Sequence, residues 1–294
     1  MTGARAGFAG PGRPGDRVLV FGGPYSNLQA LRAMRARAAG LAIAPANALC
    51  TGDIAAYGAD PAAVCDLMRD WGCAVVMGNC EEQFAAAAPD CGCGFDDGSA
   101  CDALSRQWYA HALSALDDGQ RAWMCTLPRR IDFTLGELRC TAIHGGATRI
   151  NRFIFPSTPA EEKRREADIL AADLVIAGHS GLPFTQVLGA GRAWHNAGAL
   201  GLPANDGTPD VWYSLLTPDG GGLAISHHRL AYDHGGAAKA LRAARPGDPY
   251  AGALESGLWP SLDILPEAER ALTGRRLDPA GVFLSSPIIA GAGT

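Results

Sequence analysis

The feature that most constrains the fold is a repeated unit in which a short apolar run ends at a loop containing glycine or asparagine. These runs cover residues 17–21, 41–50, 73–77, 138–143 and 173–177. Segments with helical periodicity lie between several of them, notably at 27–40 and 60–71. Alternating strands and helices predict an open α/β sheet whose functional loops lie at the carboxyl ends of the strands.

The pattern changes along the second half of the chain. A further strand is predicted at 130–135 and helices at 105–123 and 161–171. From Val187 to Leu230 short apolar runs alternate with Gly, Asn and Pro turns, which predicts hairpins that form a second sheet. We therefore expect three parts: a disordered leader at 1–15, rich in Gly, Ala and Pro and without an apolar signal core, a domain at 16–234, and a helical extension and tail at 235–294.

Composition excludes several classes of function. Hydrophobic residues make up 48% and charged residues 19% of the chain, which is typical of a soluble globular protein. The formal net charge is −5 and no run of Lys or Arg stands out, so a surface that coats nucleic acid is not expected. No apolar stretch approaches the roughly 20 residues of a membrane helix. We expect a cytoplasmic protein that does not act at a membrane, and its oligomeric state stays open.

Four polar residues follow apolar runs and stand beside glycines: Asp53, Asn79, His144 and His179. Glycine lets the backbone turn sharply, so that a neighbouring side chain can point into a shared site. A carboxylate, an amide oxygen and two imidazoles form a plausible ligand set for Mn, Fe, Ni or Zn. A single buried histidine would more often be a hydrogen-bonded core residue, but four loops with this context predict a metal site.

The order of these motifs, Gly52-Asp53, Gly78-Asn79, His144-Gly145 and Gly178-His179, resembles the calcineurin-like metallophosphoesterase superfamily. The similarity spans residues 18–216 and is strongest toward its YfcE-type and serine/threonine-phosphatase-like bacterial branch. The resemblance implies an α/β fold of the metallophosphoesterase type, in which a two-sheet sandwich is flanked by helices. It also implies two metal ions held over the sheet edge and bridged by one aspartate.

The resemblance assigns the ligands of one metal to residues that are present. Asp53 matches the bridging carboxylate, and Asn79, His144 and His179 match the remaining ligands of the second metal. We call these four residues the retained site.

The ligands that belong to the first metal alone are replaced. Its Asp-X-His positions are Gly23 and Tyr25, and the second histidine of its Gly-His-X-His motif is Gly181. We call these three residues the vacated half-site. The expected cofactor is one divalent or trivalent transition-metal ion, with two ions as the alternative. If the loops keep the family geometry, restoring the three side chains together should raise the metal content toward two.

Three residues are expected to act on a substrate. Cys80 stands where the family has its catalytic histidine, and a thiol is a poorer general acid at neutral pH unless its pKa is shifted. Arg149 and Arg152 follow the His144 loop, and a guanidinium there could replace the charge of the missing ion. The alternative for both arginines is a solvated loop. Tyr25 either binds a substrate oxygen or fills the space left by a lost ligand.

Two further groups of residues are expected near the site. His195 and Asn196 follow a predicted strand and are candidates for a supporting layer behind the ligands, although His195 also suits a purely structural role. The segment from Cys91 to Cys101 contains three cysteines that could bind a soft ion, form a labile disulfide or reach Cys80. The alternative is a lid loop whose cysteines are incidental.

Two functions are consistent with these residues. The first is a metal-dependent hydrolase of a small-molecule phosphoric ester, either a monoester or a diester, that uses the retained site. The second is a non-hydrolytic descendant of the fold that binds a metal and a ligand, or performs another single-metal reaction. An open cavity at the vacated half-site beside Arg149 would favour hydrolysis. Filling of that space by Tyr25 and Leu182 would favour the second function.

Overall fold

The computed structural model describes residues 16–189 and 191–286. The expected leader at 1–15 lies outside these residues. Strands and helices alternate through the first half of the described chain, as the apolar runs predict. Among the described residues, no helix combines the length and the apolar character that a membrane crossing requires.

The first sheet has six strands and carries the first three loops of the site. In spatial order its strands are β11 (Val282–Ser285), β10 (Gly222–Leu230), β9 (Val211–Asp219), β1 (Val18–Phe21), β2 (Ala48–Cys50) and β3 (Ala74–Val75). β1, β2 and β3 are parallel, so the loops that follow them lie at the same edge. The other neighbours in this sheet pair antiparallel.

The second sheet has five strands and carries the two histidine loops. In spatial order they are β4 (Arg130–Leu135), β5 (Leu138–Ile143), β6 (Leu174–Ala177), β8 (Arg192–Ala197) and β7 (Pro183–Gly189). β5, β6 and β8 are parallel. The loops after β5 and β6 therefore leave the sheet side by side.

Nine α-helices lie within the described residues. They are α1 (Leu28–Gly40), α2 (Pro61–Trp71), α3 (Asn79–Ala85), α4 (Ala100–Ala115), α5 (Asp118–Cys125), α6 (Ala160–Leu170), α7 (His234–Ala244), α8 (Tyr250–Ser256) and α9 (Glu267–Arg270). Asn27 caps α1 by accepting a hydrogen bond from the Ala30 amide at 3.1 Å. Gly72 ends α2 in the left-handed conformation.

The core follows from the alternation of side chains along the strands. Val18 and Val20 on β1 face the second sheet, whereas Leu19 and Phe21 face α1 and α2. Helix α6 covers the outer face of the second sheet. The predicted fold class is confirmed: the protein is an α/β two-sheet sandwich flanked by helices.

The structure corrects three local predictions. The hairpins between Val187 and Leu230 do not form a sheet of their own, because β7 and β8 join β4–β6 while β9 and β10 join β1–β3. The helix predicted at 105–123 is two helices, α4 and α5, separated at Leu116–Asp117. The segment after 235 contains the strand β11, which returns to the edge of the first sheet, as well as helices. Of the expected tail, residues 287–294 lie outside the described residues.

Candidate metal centre

Three of the predicted ligands converge at the shared edge of the two sheets. One ligand atom from each of Asp53, His144 and His179 lies within 4.8 Å of the others. His144 Nε2 is 3.2 Å from Asp53 Oδ2 and 3.0 Å from His179 Nδ1. Asp53 and His144 are 5% and 2% exposed, whereas His179 is partly exposed.

Asn79 completes the retained site and has a fixed amide orientation. Its Nδ2 donates a hydrogen bond to the Cys91 carbonyl at 2.9 Å, so its Oδ1 must face the cluster. Oδ1 lies 3.0 Å from His144 Nε2. The structure thus brings together all four residues of the retained site.

The donor set fits a metal cation. His144 Nδ1 lies 2.6 Å from the Thr51 carbonyl, which can only accept, so Nδ1 carries the hydrogen. Nε2 then faces the Asn79 and Asp53 oxygens and His179 Nδ1. The oxygens can only accept, so their convergence on Nε2 favours a positive charge at this point. A proton on Nε2 or a shared metal ion would supply that charge.

The proximity of Asp53, His144 and His179 shifts the pKa values of all three side chains. Burial would raise the pKa of Asp53, but the charge and hydrogen bond of His144 hold it below its ordinary value. Burial would lower the pKa of His144, and Asp53 outweighs this effect and raises it. Burial and the neighbouring His144 lower the pKa of His179 to about 3. His179 is therefore neutral at physiological pH, which is the form that binds metals.

Two ligands are held in backbone conformations that L-residues rarely adopt. Asp53 and His179 both have φ of +59°. Gly78 permits this arrangement, because a Cβ there would lie 2.3 Å from Asp53 Oδ1. The glycine beside the ligand is thus required for the close approach of the two loops.

Glu81 holds the Asp53 loop in this conformation and was not among the predicted site residues. Its buried carboxylate accepts hydrogen bonds from the amides of Asp53 at 2.7 Å, Ile54 at 2.6 Å and Gly78 at 2.8 Å. Burial, and then the nearby Asp53, raise its pKa to about 7. The acidic position two residues after Asn79 was the available sequence signal.

Asn196 supports the other histidine loop. Its Nδ2 donates to the Gly178 carbonyl at 2.8 Å and lies 3.0 Å from Ser180 Oγ, so it bridges the residues on either side of His179. His195 points elsewhere: it is fully buried and its Nδ1 lies 2.8 Å from Thr185 Oγ1. The structure places Asn196, but not His195, behind His179.

Tyr25 occupies the space that a side chain at position 23 would need. A Cβ on Gly23 would lie 2.4 Å from Tyr25 Cε1. The ring is 5% exposed and packs edge-on against Tyr57, with ring centroids 4.9 Å apart. Of the two roles considered for Tyr25, this placement favours filling the space.

The other side of the vacated half-site is not filled in the same way. A Cβ on Gly181 would meet its nearest atom, Trp259 Cζ2, at 3.7 Å. Leu182 does not fill this space but packs with Phe155 and Trp212 in a separate cluster. The expected plug is therefore formed by Tyr25 and not by Leu182.

The structure separates the two candidate arginines. Arg152 forms ion pairs with Glu162 and Glu166 on α6, which neutralise its guanidinium. Arg149 is exposed, and its side chain forms no ion pair within the described part of the chain. The charge of Arg149 is therefore not neutralised by an ion pair with another described residue.

Cys80 lies at the start of α3, between Asp53 and an aromatic cluster. Its amide donates to Asp53 Oδ1 at 3.2 Å, and its side chain packs with Tyr25, Phe84 and Trp108. Burial and the charge of Asp53 raise the pKa of the thiol. The thiol therefore remains protonated at neutral pH.

The cysteine-rich segment covers the retained site. Cys91 and Cys93 form a disulfide, and Cys93 Sγ lies 3.4 Å from Asn79 Nδ2. Cys101 is a free thiol. The structure therefore combines two of the alternatives considered for this segment: it is a loop that lies over Asn79, and two of its cysteines form a disulfide.

Comparisons with known proteins bear on the fold. No protein-family model and no curated protein matches the chain. A metallophosphoesterase from Sphaerobacter thermophilus superposes with a TM-score of 0.64 at 20% identity, over 83% of this chain and 100% of its own. A hypothetical protein from Pyrococcus horikoshii OT3 gives 0.67 at 15% identity, over 82% and 98%. The resemblance seen in the sequence is therefore confirmed at the level of architecture: this chain has the fold of the calcineurin-like metallophosphoesterases.

Proposed function

We propose that this protein is a metal-dependent hydrolase of a small-molecule phosphoric ester, and that the retained site holds its metal. The observation that supports this most strongly is the convergence of Asp53, Asn79, His144 and His179 on one point. A carboxylate, an amide oxygen and two imidazoles match the donor preference of a divalent transition metal such as Mn, Fe, Ni or Zn. The metallophosphoesterase fold is consistent with this chemistry.

A metal held there would act as a Lewis acid toward water and a phosphoryl oxygen. The chain's own groups position the ligands. Glu81 fixes the Asp53 loop, Asn196 fixes the His179 loop, and Thr51 fixes the tautomer of His144. These bonds keep the ligand atoms together without requiring rearrangement on binding.

Arg149 is the proposed source of the positive charge that a second ion would supply. Arg149 comes five residues after His144 in the sequence, and its side chain is exposed. Its carbonyl accepts a hydrogen bond from the Gly146 amide at 2.9 Å. A guanidinium can bind a phosphoryl group through two hydrogen bonds. Cys80 stays a candidate proton donor, because burial keeps its thiol protonated.

A second function is favoured by the position of Tyr25. Its ring fills the space above Gly23, where an aspartate ligand of a second metal ion would project. A protein that binds a metal and a phosphoester without hydrolysing it would retain the same ligand set. The two functions differ in turnover and not in metal content.

The test is metal analysis combined with an activity assay. We expect the protein purified without added metal to carry close to one ion per chain. His144→Ala and His179→Ala should each lose it, because each removes one of four ligands. His111→Ala is the matched control, because that imidazole lies on α4, away from the retained site, and its ring forms a hydrogen bond with the Ala59 carbonyl at 3.1 Å.

The outcomes separate the two functions. Turnover of 4-nitrophenyl phosphate or bis(4-nitrophenyl) phosphate that disappears in both histidine variants supports the hydrolase. One ion per chain with no turnover under several metals supports the non-hydrolytic function. A full metal complement in both variants would mean that the ligand assignment is wrong.

A further inference from the structure

A pocket lined by aromatic rings adjoins the retained site, and we call it the aromatic pocket. Its lining includes the metal ligand His179 together with Ser180 and Gly181. Six of its fifteen lining residues are aromatic: Tyr25, Tyr57, Phe95, Phe153, Tyr250 and Trp259. Within the described residues, no lysine, arginine, aspartate or glutamate lines it. Such a surface suits a planar apolar group rather than a phosphate or a second metal ion. The cavity measures about 50 Å³, so it would cover one face or edge of a ring and leave the rest at its mouth.

The apolar wall begins directly at the metal ligand. The Phe153 ring packs on the His179 imidazole with centroids 4.0 Å apart. A substituent of a phosphoryl group bound at the retained site would therefore meet aromatic carbon next. The vacated half-site also contributes to the pocket through Tyr25 and Gly181.

Trp259 is held in place as a wall of the pocket by the segment after α8. Its Nε1 donates to the Pro203 carbonyl at 2.6 Å, and its amide donates to Asn205 Oδ1 at 2.9 Å. Its ring lies within van der Waals distance of the Cβ position of Gly181. The C-terminal segment thus places a rigid indole where the first-metal histidine would project. A ring fixed in this way loses little entropy when a ligand stacks on it.

Three tyrosines add polar groups to this apolar surface. The hydroxyls of Tyr25, Tyr57 and Tyr250 form no hydrogen bond with any described residue, although all three side chains line the pocket. Burial raises the pKa of each, so the hydroxyls are neutral donors and acceptors. They could bind heteroatoms at the edge of a ring.

We propose that the aromatic pocket binds a planar aromatic group of the phosphoester, and that Trp259 is a specificity-determining residue. This proposal rests on the proposed function only in placing the phosphoryl group at the retained site. The ring could belong to an aryl ester or to a nucleobase, because both present a π face and an edge that can carry heteroatoms.

The test compares ligands that differ in the ring alone. Phenylphosphonate and methylphosphonate are not hydrolysed as esters, and their dissociation constants from the Mn²⁺-loaded protein can be measured by calorimetry. We expect phenylphosphonate to bind about tenfold more tightly, as stacking of one ring allows. Trp259→Ala should remove most of this preference and leave methylphosphonate binding unchanged. Phe283→Ala, at a ring that is 54% exposed on β11, should leave both ligands unaffected.

A second pair of ligands identifies the source of the ring. If AMP binds more tightly than ribose 5-phosphate, and phenylphosphonate binds more tightly than methylphosphonate, the pocket accepts a nucleobase. If phenylphosphonate binds more tightly than methylphosphonate but AMP does not bind more tightly than ribose 5-phosphate, the pocket accepts an aryl group. Either result supports the proposal.

Equal affinity for phenyl- and methylphosphonate in the wild type would overturn the proposal, and so would failure of both to bind. The wild-type comparison decides this even if Trp259→Ala does not fold. Preferential binding of phenylphosphonate without turnover of any ester would refute the hydrolase and leave the pocket assignment intact. Turnover of an ester without preferential binding of phenylphosphonate would support the hydrolase and refute the pocket assignment.

Discussion

Replacing Glu81 by Gln tests whether one buried carboxylate maintains the loops of the retained site. The wild-type oxygens accept three amide hydrogen bonds, two of them at Oε2 and one at Oε1. Glutamine offers one oxygen and one amino group. If its oxygen takes the place of Oε2, its NH₂ faces the Ile54 amide, and two buried donors oppose each other.

The magnitude follows from the number of bonds lost. Burial raises the pKa of Glu81 to about 7, so the comparison is made at pH 8 to 9, where the carboxylate is charged. A hydrogen bond to a charged group contributes about 1.5–3 kcal/mol, and a buried donor left unpaired costs about 1–3 kcal/mol. We expect Glu81→Gln to destabilise the protein by about 3–5 kcal/mol, which corresponds to a melting temperature lower by roughly 10 °C. Metal retention should also fall, since Asp53 would no longer be held at positive φ.

Glu82→Gln is the matched control for this measurement. Glu82 is the next residue of α3, but its carboxylate is partly exposed and forms an ion pair with Arg129. A surface pair contributes about 0–1 kcal/mol, so its loss should shift the melting temperature by a few degrees at most. Thermal unfolding and metal analysis of both variants decide the matter. If Glu81→Gln melts like Glu82→Gln and keeps its metal, the Asp53 loop does not depend on this carboxylate.

Two further predictions concern other buried polar groups. Asn196→Ala should weaken Mn²⁺ binding about 10- to 100-fold in a chelator competition, because it frees the loop on both sides of His179; unchanged affinity would contradict this. His227 lies between the sheets beside Thr185 and His195, and burial, followed by the charge of His228, lowers its pKa to about 4. The unfolded chain then binds more protons between pH 6.5 and about 4, so stability should fall as pH decreases through this range, by up to about 3 kcal/mol from this residue. Urea midpoints at several pH values should show a smaller fall in His227→Asn, and equal slopes would exclude His227 as the cause.

The convergence of Asp53, Asn79, His144 and His179 could be predicted because the sequence signals are local. Each ligand follows an apolar run and stands beside a glycine, and a parallel sheet brings the ends of such runs to one edge. His144 and His179 are 35 residues apart in sequence, yet β5 and β6 are neighbours in the second sheet. The order of the motifs was sufficient to predict that these residues lie close together, because the parallel strands bring their loops to one edge.

The sheet membership of the late strands could not be predicted in the same way. Residues 187–230 contain turn signals that indicate hairpins, and hairpin pairing is local. Which sheet a hairpin joins depends on partners far away in sequence, such as Val20 of β1 with Ser214 of β9. The strand β11 was missed for the same reason, because its partner β10 lies more than 50 residues earlier.

The roles of Glu81 and Trp259 required coordinates because neither residue type indicates its task. Glutamate at the third position of a helix is ordinarily a capping residue, and nothing in the sequence marks it as buried. Trp259 stands in a segment without a recognisable motif, and it reaches the site only because Asn205 and Pro203 anchor it. Side chains that act by supporting others are thus harder to predict than the ligands themselves.

The structure changes one expectation about the vacated half-site. The sequence suggested that Gly23→Asp, Tyr25→His and Gly181→His together would raise the metal content toward two. Replacing Tyr25 removes the ring that a Cβ at position 23 would meet, but the Asp53 carbonyl would still lie 2.7 Å from that Cβ. The Gly23 backbone has little freedom to move away, because its carbonyl accepts hydrogen bonds from the amides of Leu200 at 3.1 Å and Gly201 at 2.8 Å.

We therefore predict that the triple variant binds one ion per chain and is less stable than the wild type. Crowding at position 23 should cost about 1–3 kcal/mol, and a histidine at the left-handed Gly181 adds about 1–2 kcal/mol. Tyr25→His with Gly181→His is the matched control, because it leaves Gly23 unchanged and should recover the first of these costs. Metal analysis and thermal unfolding of both variants provide the measurement. Two ions per chain in a triple variant that melts like the wild type would show that the loop still has the family's two-metal geometry, and that only side chains separate this site from a two-metal one.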